Sequence, residues 1–583
     1  MHPKHPVAAA ILVRATSASK PGDQHCRRRY EGSSGVSSQA QEQAPVSLYP
    51  ELDEATLLRF VHSLESGDTA GLSTTRVEEV TRARALLQMR RVRVPGDGGI
   101  ELAGYLWTHH DGRDRPAIVM PSPWTDLGWL AYAVQGTLFA LNGYHVLAYT
   151  ARGFGQSGGE VEVAGSDDVA DGSAALDHLL DQTGGTVTGV GFLGDSYGSG
   201  ISQLVAAHDD RVQAVAALST WGDLGEAFYE NETRHVASVA ALLGAAKNAR
   251  LSARTRQVFD DVLAGRNIEQ TLEWARDRSP YTHRDRLNQR RVPVFFAQAW
   301  HETLFPNNQT LKMFNALEGP KRLDYSIGDH SSPEMSGILG LPNRIWQDAH
   351  RWMNHHLKGE ANGIDKEGEL VSQVMWSGTL EASATWHDST GDPQRLYLTG
   401  AGADTGDGAL TDKPENGWTR TIGTGADTPA TVADSIIKAG YAEMAGNPKP
   451  YPTRDISRTA AGVWVGPPLT RTARLRGTPG LQLNYASSNG GSTFVAHLFD
   501  VDPDDSAHII THAPFTRTDG STGEPEAVRL DLQATGYDVA AGHRLMLVID
   551  TQDPFYADSN GQGTTLTVTS PDGNPSYLDI PLA

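Results

Sequence analysis

The chain holds a single cysteine, Cys26, among 583 residues. One cysteine excludes an intrachain disulfide and a cysteine-built zinc site. Long apolar runs are missing too, and none approaches the roughly 18 residues that a membrane-spanning helix needs. Positive charge is scarce: 49 Lys and Arg face 70 Asp and Glu, a formal charge of −21. So acidic a surface repels phosphate backbones, which argues against a nucleic-acid partner and, by the same physics, against an anionic membrane. A lone cysteine is compatible with the cytoplasm, which is the expected location. Secretion stays open, because "PVAAAILV" (6–13), between Lys4 and Arg14, faintly resembles a short signal peptide.

Glycine, by contrast, is abundant, 61 residues with 31 prolines, and marks frequent turns. The length exceeds what one core usually organises, so several domains are expected. Residues 1–47, rich in Ser, Gln and Arg, lack apolar periodicity and read as a disordered tail. Residues 48–89 read as a helical segment, with Leu57, Leu58, Phe60, Val61 and Leu64 at helical spacing. From about residue 90 strands alternate with helices: "RRVRVPG" and "IELAGYLWTH" around a "GDGG" turn, then "RPAIVMPSP", "YHVLAYTARG", "TVTGVGFLGDS", "RVQAVAALSTW", "RVPVFFAQAW" and "KRLDYSIGDH". That rhythm predicts an α/β domain with a parallel sheet over 90–221 and 289–365. Residues 222–288 interrupt it with helical texture and read as a cap over the C-terminal edge of the sheet. Residues 366–583 read as short strands with Gly, Asp and Pro turns, a C-terminal all-β sandwich of jelly-roll type in which helices have stopped.

The stretch with most chemical content is "GFLGDSYGSG" (191–200), which places Ser196 in Gly-Asp-Ser-Tyr-Gly between a strand and a helix. That context is what turns G-x-S-x-G from a common pattern into a nucleophile elbow. A serine nucleophile needs a base, and the base an orienting acid, in the chain order Ser, Asp or Glu, His for this arrangement. His301-Glu302 follows one late strand and Asp329-His330 the next. The expected set is Ser196, His330 and Glu302, with His301 the competing base and Asp329 the competing acid. The oxyanion is expected to meet the amide of Tyr197 and a second donor near Trp124 in "PSPWTD", through its backbone or indole N–H. Trp124, Trp221 and Trp300, all at strand ends, are the expected substrate-binding aromatics.

The motifs "GDSYG", "ARGFGQSGG" (151–159), "AWHETLFP" (299–306), "GDH" (328–330) and "WMNHHLKGEANGID" (352–365), with "FVAHLFDVDPDD" and "AGHRLMLVIDTQDP" further on, resemble the CocE/NonD hydrolase family. That family includes cocaine esterase, α-amino-acid ester hydrolases and S15-type X-Pro dipeptidyl-peptidases. The resemblance spans roughly residues 90–583. It implies an α/β-hydrolase core, a helical cap, a C-terminal jelly roll, and hydrolysis of an ester or amide, or of a short peptide, without metal or organic cofactor. Two positions depart from the family pattern: Glu302 stands where Asp is usual, and Trp124 where some members place an oxyanion-hole Tyr. The carboxylate cluster with which the amino-acid ester hydrolases bind an ammonium is not evident. Glu226, Glu230 and Glu232 lie near the cap but read as a solvated face.

Beside hydrolysis stand three rivals: X-Pro dipeptidyl-peptidase activity, acyl transfer to an amine or alcohol, and a binding protein that has kept the fold and lost the chemistry. The intact Ser, Glu and His weigh against the last. A homodimer is compatible with this reading. "VDPDD" (501–505) lacks calcium-loop spacing, the adjacent histidines of "NHH" (354–356) point apart on a helix, and the sequon "NET" (231–233) matters only in a secreted eukaryotic chain.

Overall fold

The computed structural model describes residues 49, 52–183, 187–402 and 406–583. The expected tail over 1–47, with Cys26 and the leader-like stretch, lies outside the described residues. Two helices, α1 (Glu54–Ser66) and α2 (Thr74–Leu86), come first. Asp53 and Ser73 cap them by accepting the amides of Thr56 and Arg76. α1 buries Leu57, Phe60, Val61 and Leu64, the apolar stripe visible in the sequence.

Ten strands form the core sheet. They are β1 (Leu87–Pro95), β2 (Glu101–His109), β3 (Arg115–Pro121), β4 (His145–Tyr149), β5 (Val187–Asp195), β6 (Val212–Leu218), β7 (Val294–Ala299), β8 (Lys321–Ser326), β9 (Leu370–Gln373) and β10 (Leu380–Ser383). Their order is β1-β2-β4-β3-β5-β6-β7-β8-β9-β10. The strands from β4 through β9 in that order pair in parallel, and β1, β2 and β10 are antiparallel. Strands buried on both faces read as continuous apolar runs, and β5 and β6 are buried over nearly their whole length. On one face α3 (Ala133–Leu141) packs on the helix Arg344–Lys358, with the ring of Phe139 stacked 3.6 Å from that of His350. On the other, α4 (Ser166–Thr183) lies against α5 (Tyr197–His208), Val205 closing on Gly172.

Between β6 and β7 run α6 (Leu224–Phe228), α7 (Val236–Ala245), α8 (Ala253–Ala264), α9 (Ile268–Asp277) and α10 (Arg284–Arg290). A two-strand hairpin, Tyr229–Glu230 with Thr233–Arg234, interrupts these helices.

The expected domain boundary at residue 365 moves. β9 pairs in parallel with β8 and β10 returns beside it, so the core sheet runs to Ser383. Turn-rich texture after residue 365 looks alike whether the strands join the first sheet or the second. Helices also do not stop there: Trp386–Ser389 and Lys438–Met444 are helical. The rest is β structure, with fourteen strands joined in one sheet system among the described residues. Within it β11 (Ser492–Val501) pairs antiparallel with both β12 (Ser506–Arg517) and β13 (Arg544–Asp550), and every residue of β11 is buried.

Candidate active site

Ser196 follows β5 and stands at the N-cap of α5 with φ 51° and ψ −117°, a left-handed conformation rare outside glycine. The turn is possible because its neighbours lack side chains. A Cβ on Gly194 would lie 2.1 Å from the carbonyl carbon of Gly198, and one on Gly198 would lie 2.0 Å from the carbonyl oxygen of Pro121. The serine is thus held at the mouth of a helix whose first amide, that of Tyr197, has no partner within the helix.

His330 follows β8 and brings Nε2 to 2.8 Å from Ser196 Oγ. Its Nδ1 lies 2.9 Å from Oε1 of Glu302, which follows β7. The same oxygen accepts the amides of Leu304 and Phe305 at 3.0 and 3.1 Å, so the carboxylate is fixed by its own loop. A carboxylate only accepts, so the imidazole proton sits on Nδ1 and Nε2 is left to accept from Ser196. All three residues are buried. Burial pulls the His330 pKa down, but Glu302, with Asp195 and Asp329 behind it, outweighs burial and holds it above the ordinary value. The ring of Phe305 stands edge-on to His330 at 5.2 Å.

The competing residues have other work. His301 pairs through Nδ1 with Glu443 of the Lys438–Met444 helix at 2.8 Å, and its Nε2 lies 3.3 Å from the carbonyl of Ile510 in β12. Asp329 accepts the amides of Thr303, His330 and Ile437 and the hydroxyl of Thr303. It ties the Glu302 loop, the His330 loop and the C-terminal domain together without touching the imidazole. Burial, then the neighbouring Glu302, pushes its pKa up to about 7.

Two expectations about tryptophan need correction. The indole N–H of Trp124 donates to the carbonyl of Leu242 in α7 at 3.0 Å, so of the two donors expected at this residue the indole is taken and the backbone N–H is left. The ring packs at right angles on Tyr197, 5.0 Å away, and on Phe154, which makes it a wall and a tie to the cap. Trp300 is not a substrate-site residue. Its ring stacks 3.9 Å from Tyr325, its N–H donates to the carbonyl of Gln373, and its edge abuts Gly536 of the C-terminal domain. Trp221 lies one layer back, 5.2 Å from Phe305, with its N–H on the carbonyl of Arg278. The cap carboxylates do not converge: Glu226 pairs with Lys312, Glu232 is exposed, and Glu230 accepts from Gln533. Burial pushes Glu230 up to about 8, beside a buried His235 pushed down to about 3.

Sequence reasoning missed several residues near Ser196. Asp195, in the elbow itself, accepts from Tyr49 and Ser331, and its amide donates to Tyr132. Tyr49 precedes every element of the fold, and Tyr132 sits in a helical turn, so spacing gave no signal for either. On the far side Tyr197 Oη donates to Asp168 at 3.0 Å and accepts the amide of Ala164.

A strained serine at a strand-to-helix turn, on a mostly parallel sheet with a helical insertion, defines an α/β-hydrolase with an all-β domain behind it. Residues 97–332 match the family described as X-Pro dipeptidyl-peptidase (S15 family), and 362–578 match the X-Pro dipeptidyl-peptidase C-terminal non-catalytic domain. The chain is a hydrolase, similar to the S15 peptidases over these two stretches. A Streptomyces avermitilis protein described as a putative Xaa-Pro dipeptidyl-peptidase is 23% identical over 490 residues, 74% of this chain and 70% of the relative. An α-amino acid ester hydrolase matches in fold with TM-score 0.66 and 15% identity, over 85% of this chain and 97% of its own. A CocE/NonD family hydrolase from Staphylococcus aureus matches with TM-score 0.64 and 12% identity, over 85% and 94%. No helix among the described residues is long and apolar enough to cross a membrane.

Proposed function

We propose that Ser196, His330 and Glu302 are the catalytic triad of this hydrolase. It cleaves a carboxylic ester or amide of a small molecule or short peptide through an acyl-enzyme. The observation that carries the proposal is the unbroken chain Oγ–Nε2 and Nδ1–Oε1, 2.8 and 2.9 Å, inside a site with almost no solvent contact.

In the first half-reaction Ser196 Oγ attacks the carbonyl carbon while Nε2 of His330 takes its proton. Negative charge grows on the carbonyl oxygen, where the Tyr197 amide at the α5 N-terminus stabilises it. His330 then carries a positive charge that Glu302 offsets at no reorganisation cost, since two backbone amides already aim its carboxylate. The imidazolium returns the proton to the leaving alcohol or amine. Water repeats the sequence on the acyl-enzyme and frees the acid. The cap, tied down through Trp124 and Leu242, is placed to limit substrate size and to exclude bulk water.

A second reading rests on the S15 family match and on the description of the Streptomyces relative: removal of Xaa-Pro dipeptides from a peptide amino terminus. The acidic surface and the lone cysteine support a small-molecule or peptide substrate, met in the cytoplasm, over a nucleic acid. The test is a paired assay of wild type and Ser196→Ala on a short-chain p-nitrophenyl ester and on an Ala-Pro p-nitroanilide. Ester turnover lost in the variant supports the esterase. Anilide turnover lost in the variant supports the dipeptidyl-peptidase. Turnover that survives Ser196→Ala overturns the nucleophile.

A further inference from the structure

Asp195 and Ser331 flank the nucleophile and the base: one precedes Ser196 and the other follows His330. Ser331 Oγ donates to Asp195 Oδ2 at 3.0 Å, a second link between the two catalytic loops beside the Ser196–His330 contact. The same oxygen accepts the hydroxyl of Tyr49 at 2.8 Å, and that hydroxyl also faces the Ser196 and Ser331 side chains. Tyr49 is 1% exposed and Asp195 fully buried, while Oδ1 of Asp195 has no hydrogen-bond partner among the described residues. The elbow requires glycines around the serine but makes no demand for a carboxylate at this position. A buried carboxylate with one oxygen unpaired is costly, so its place beside the base calls for a compensating gain. That gain is available in the reaction, because a fixed negative charge in a dry site steadies an imidazolium as it forms.

We propose that Asp195 acts as a second carboxylate on His330, and that Tyr49, which reaches the site from ahead of the hydrolase fold, is the positioning residue that keeps Asp195 charged and aimed. This rests on the triad reading above. The groups facing Asp195 are Tyr49 ahead of α1, Tyr132 ahead of α3, Glu302 after β7, His330 and Ser331 after β8, and Glu334 on the helix Ser332–Ile338. Burial pushes Asp195 up to about 6, with His330, Tyr49 and Ser331 pulling it down and Glu302 opposing them. The adjacent Glu334, buried and facing Asp195, is pushed up to about 8. A hydrogen bond to the ionised form favours ionisation, so removing the Tyr49 hydroxyl raises Asp195 and leaves it neutral over more of the pH range. His330 then loses an attraction, its pKa falls, and its imidazolium costs more to form in the transition state.

The test is a set of pH profiles of kcat and kcat/KM for wild type, Tyr49→Phe, Asp195→Asn, their double variant and Ser331→Ala, on the ester or anilide that wild type turns over. Thermal melts report folding, and a fluorophosphonate reports the reactive serine. Tyr49→Phe is expected to lower kcat roughly tenfold, the size of one hydrogen bond to a charged group, with KM within about twofold. The acid limb of its kcat/KM profile should move to lower pH by about one unit. Asp195→Asn should act in the same direction and more strongly, and in the double variant Tyr49→Phe should move the acid limb little further, because its effect on that limb works through the carboxylate. Tyr49→Phe with a wild-type profile overturns the proposal, as do Tyr49→Phe and Asp195→Asn shifts of the acid limb that add in full. If Tyr49→Phe does not fold, Ser331→Ala, which strips the same oxygen from the other side, decides by the same shift. Absence of fluorophosphonate labelling in wild type would instead break the triad reading beneath it.

Discussion

Oε1 of Glu302 lies 2.9 Å from Nδ1 of His330 and accepts two backbone amides as well. One oxygen therefore carries both the orientation of the base and the shape of the loop that delivers it. Glu302→Gln keeps the size but presents a donor or a weaker acceptor, which favours the wrong imidazole tautomer. The expected loss in kcat is about 10³–10⁴-fold with the fold retained. Glu302→Asp is one methylene short of the same place and is expected to recover part of that loss. Steady-state kinetics beside a thermal melt checks both.

His301 and His330 offer a direct contrast. His330→Asn should remove turnover to within the residual roughly 10³–10⁴-fold enhancement that a site lacking its base retains. His301→Asn should keep kcat within about tenfold, because its imidazole is bound to Glu443 and to the carbonyl of Ile510. Its cost should appear in stability instead, where breaking a buried pair is worth about 3–5 kcal/mol. Denaturant unfolding separates the two outcomes, and a His301 variant as inactive as the His330 variant would reverse the choice of base.

Gly198→Ala forces a Cβ to 2.0 Å from the carbonyl of Pro121, where backbone rather than a flexible side chain must give way. Overpacking of this kind costs about 1–3 kcal/mol or more. It also tilts the α5 N-terminus that aims the Tyr197 amide, so kcat should fall further than stability predicts. The melting temperature and kcat measured on one preparation test this.

Activity and stability should respond to acid for different reasons. Activity needs neutral His330, whose pKa is raised, so kcat/KM should fall as pH drops through a value above the ordinary 6.5. For stability the relevant groups are His235, pushed down by burial to about 3, and His512, held well below its usual value by burial and then by His497, His301 and His235. Below the unfolded value of about 6.5 the unfolded chain binds protons that these folded imidazoles refuse, so stability falls with pH by roughly 1.4 kcal/mol per unit for each. Buried carboxyls raised in the folded state, such as Glu230 at about 8, act with the opposite sign. His235→Gln should therefore flatten the decline between pH 6.5 and about 3, as read from unfolding free energies against pH, relative to wild type.

Much of the site was legible because its parts announce themselves locally. Gly194 and Gly198 mark the elbow, and Glu302 and His330 each follow an apolar strand at the edge where parallel sheets present their ends. Tyr49 left no such trace: a tyrosine near an N-terminal helix has many ordinary uses, and nothing in the spacing links it to a residue 146 positions away. Trp300 misled for the reverse reason. It occupies a strand end as Trp124 and Trp221 do, but the C-terminal domain claims its face.

The sequence by itself determined the α/β rhythm, the helical insertion between two strands, the β-rich second half and the choice of Ser196, Glu302 and His330 as candidates. These follow from periodicity, strand and turn chemistry, and the steric demand of a tight elbow, all readable within short windows. Tertiary structure alone decided which of two histidines faces Ser196, where the indole N–H of Trp124 goes, how far the first sheet extends, and that Asp195 shares one oxygen between Tyr49 and Ser331. Each of those depends on the direction of a side chain once distant segments have packed. Burial, rather than residue type, then sets what charge it carries.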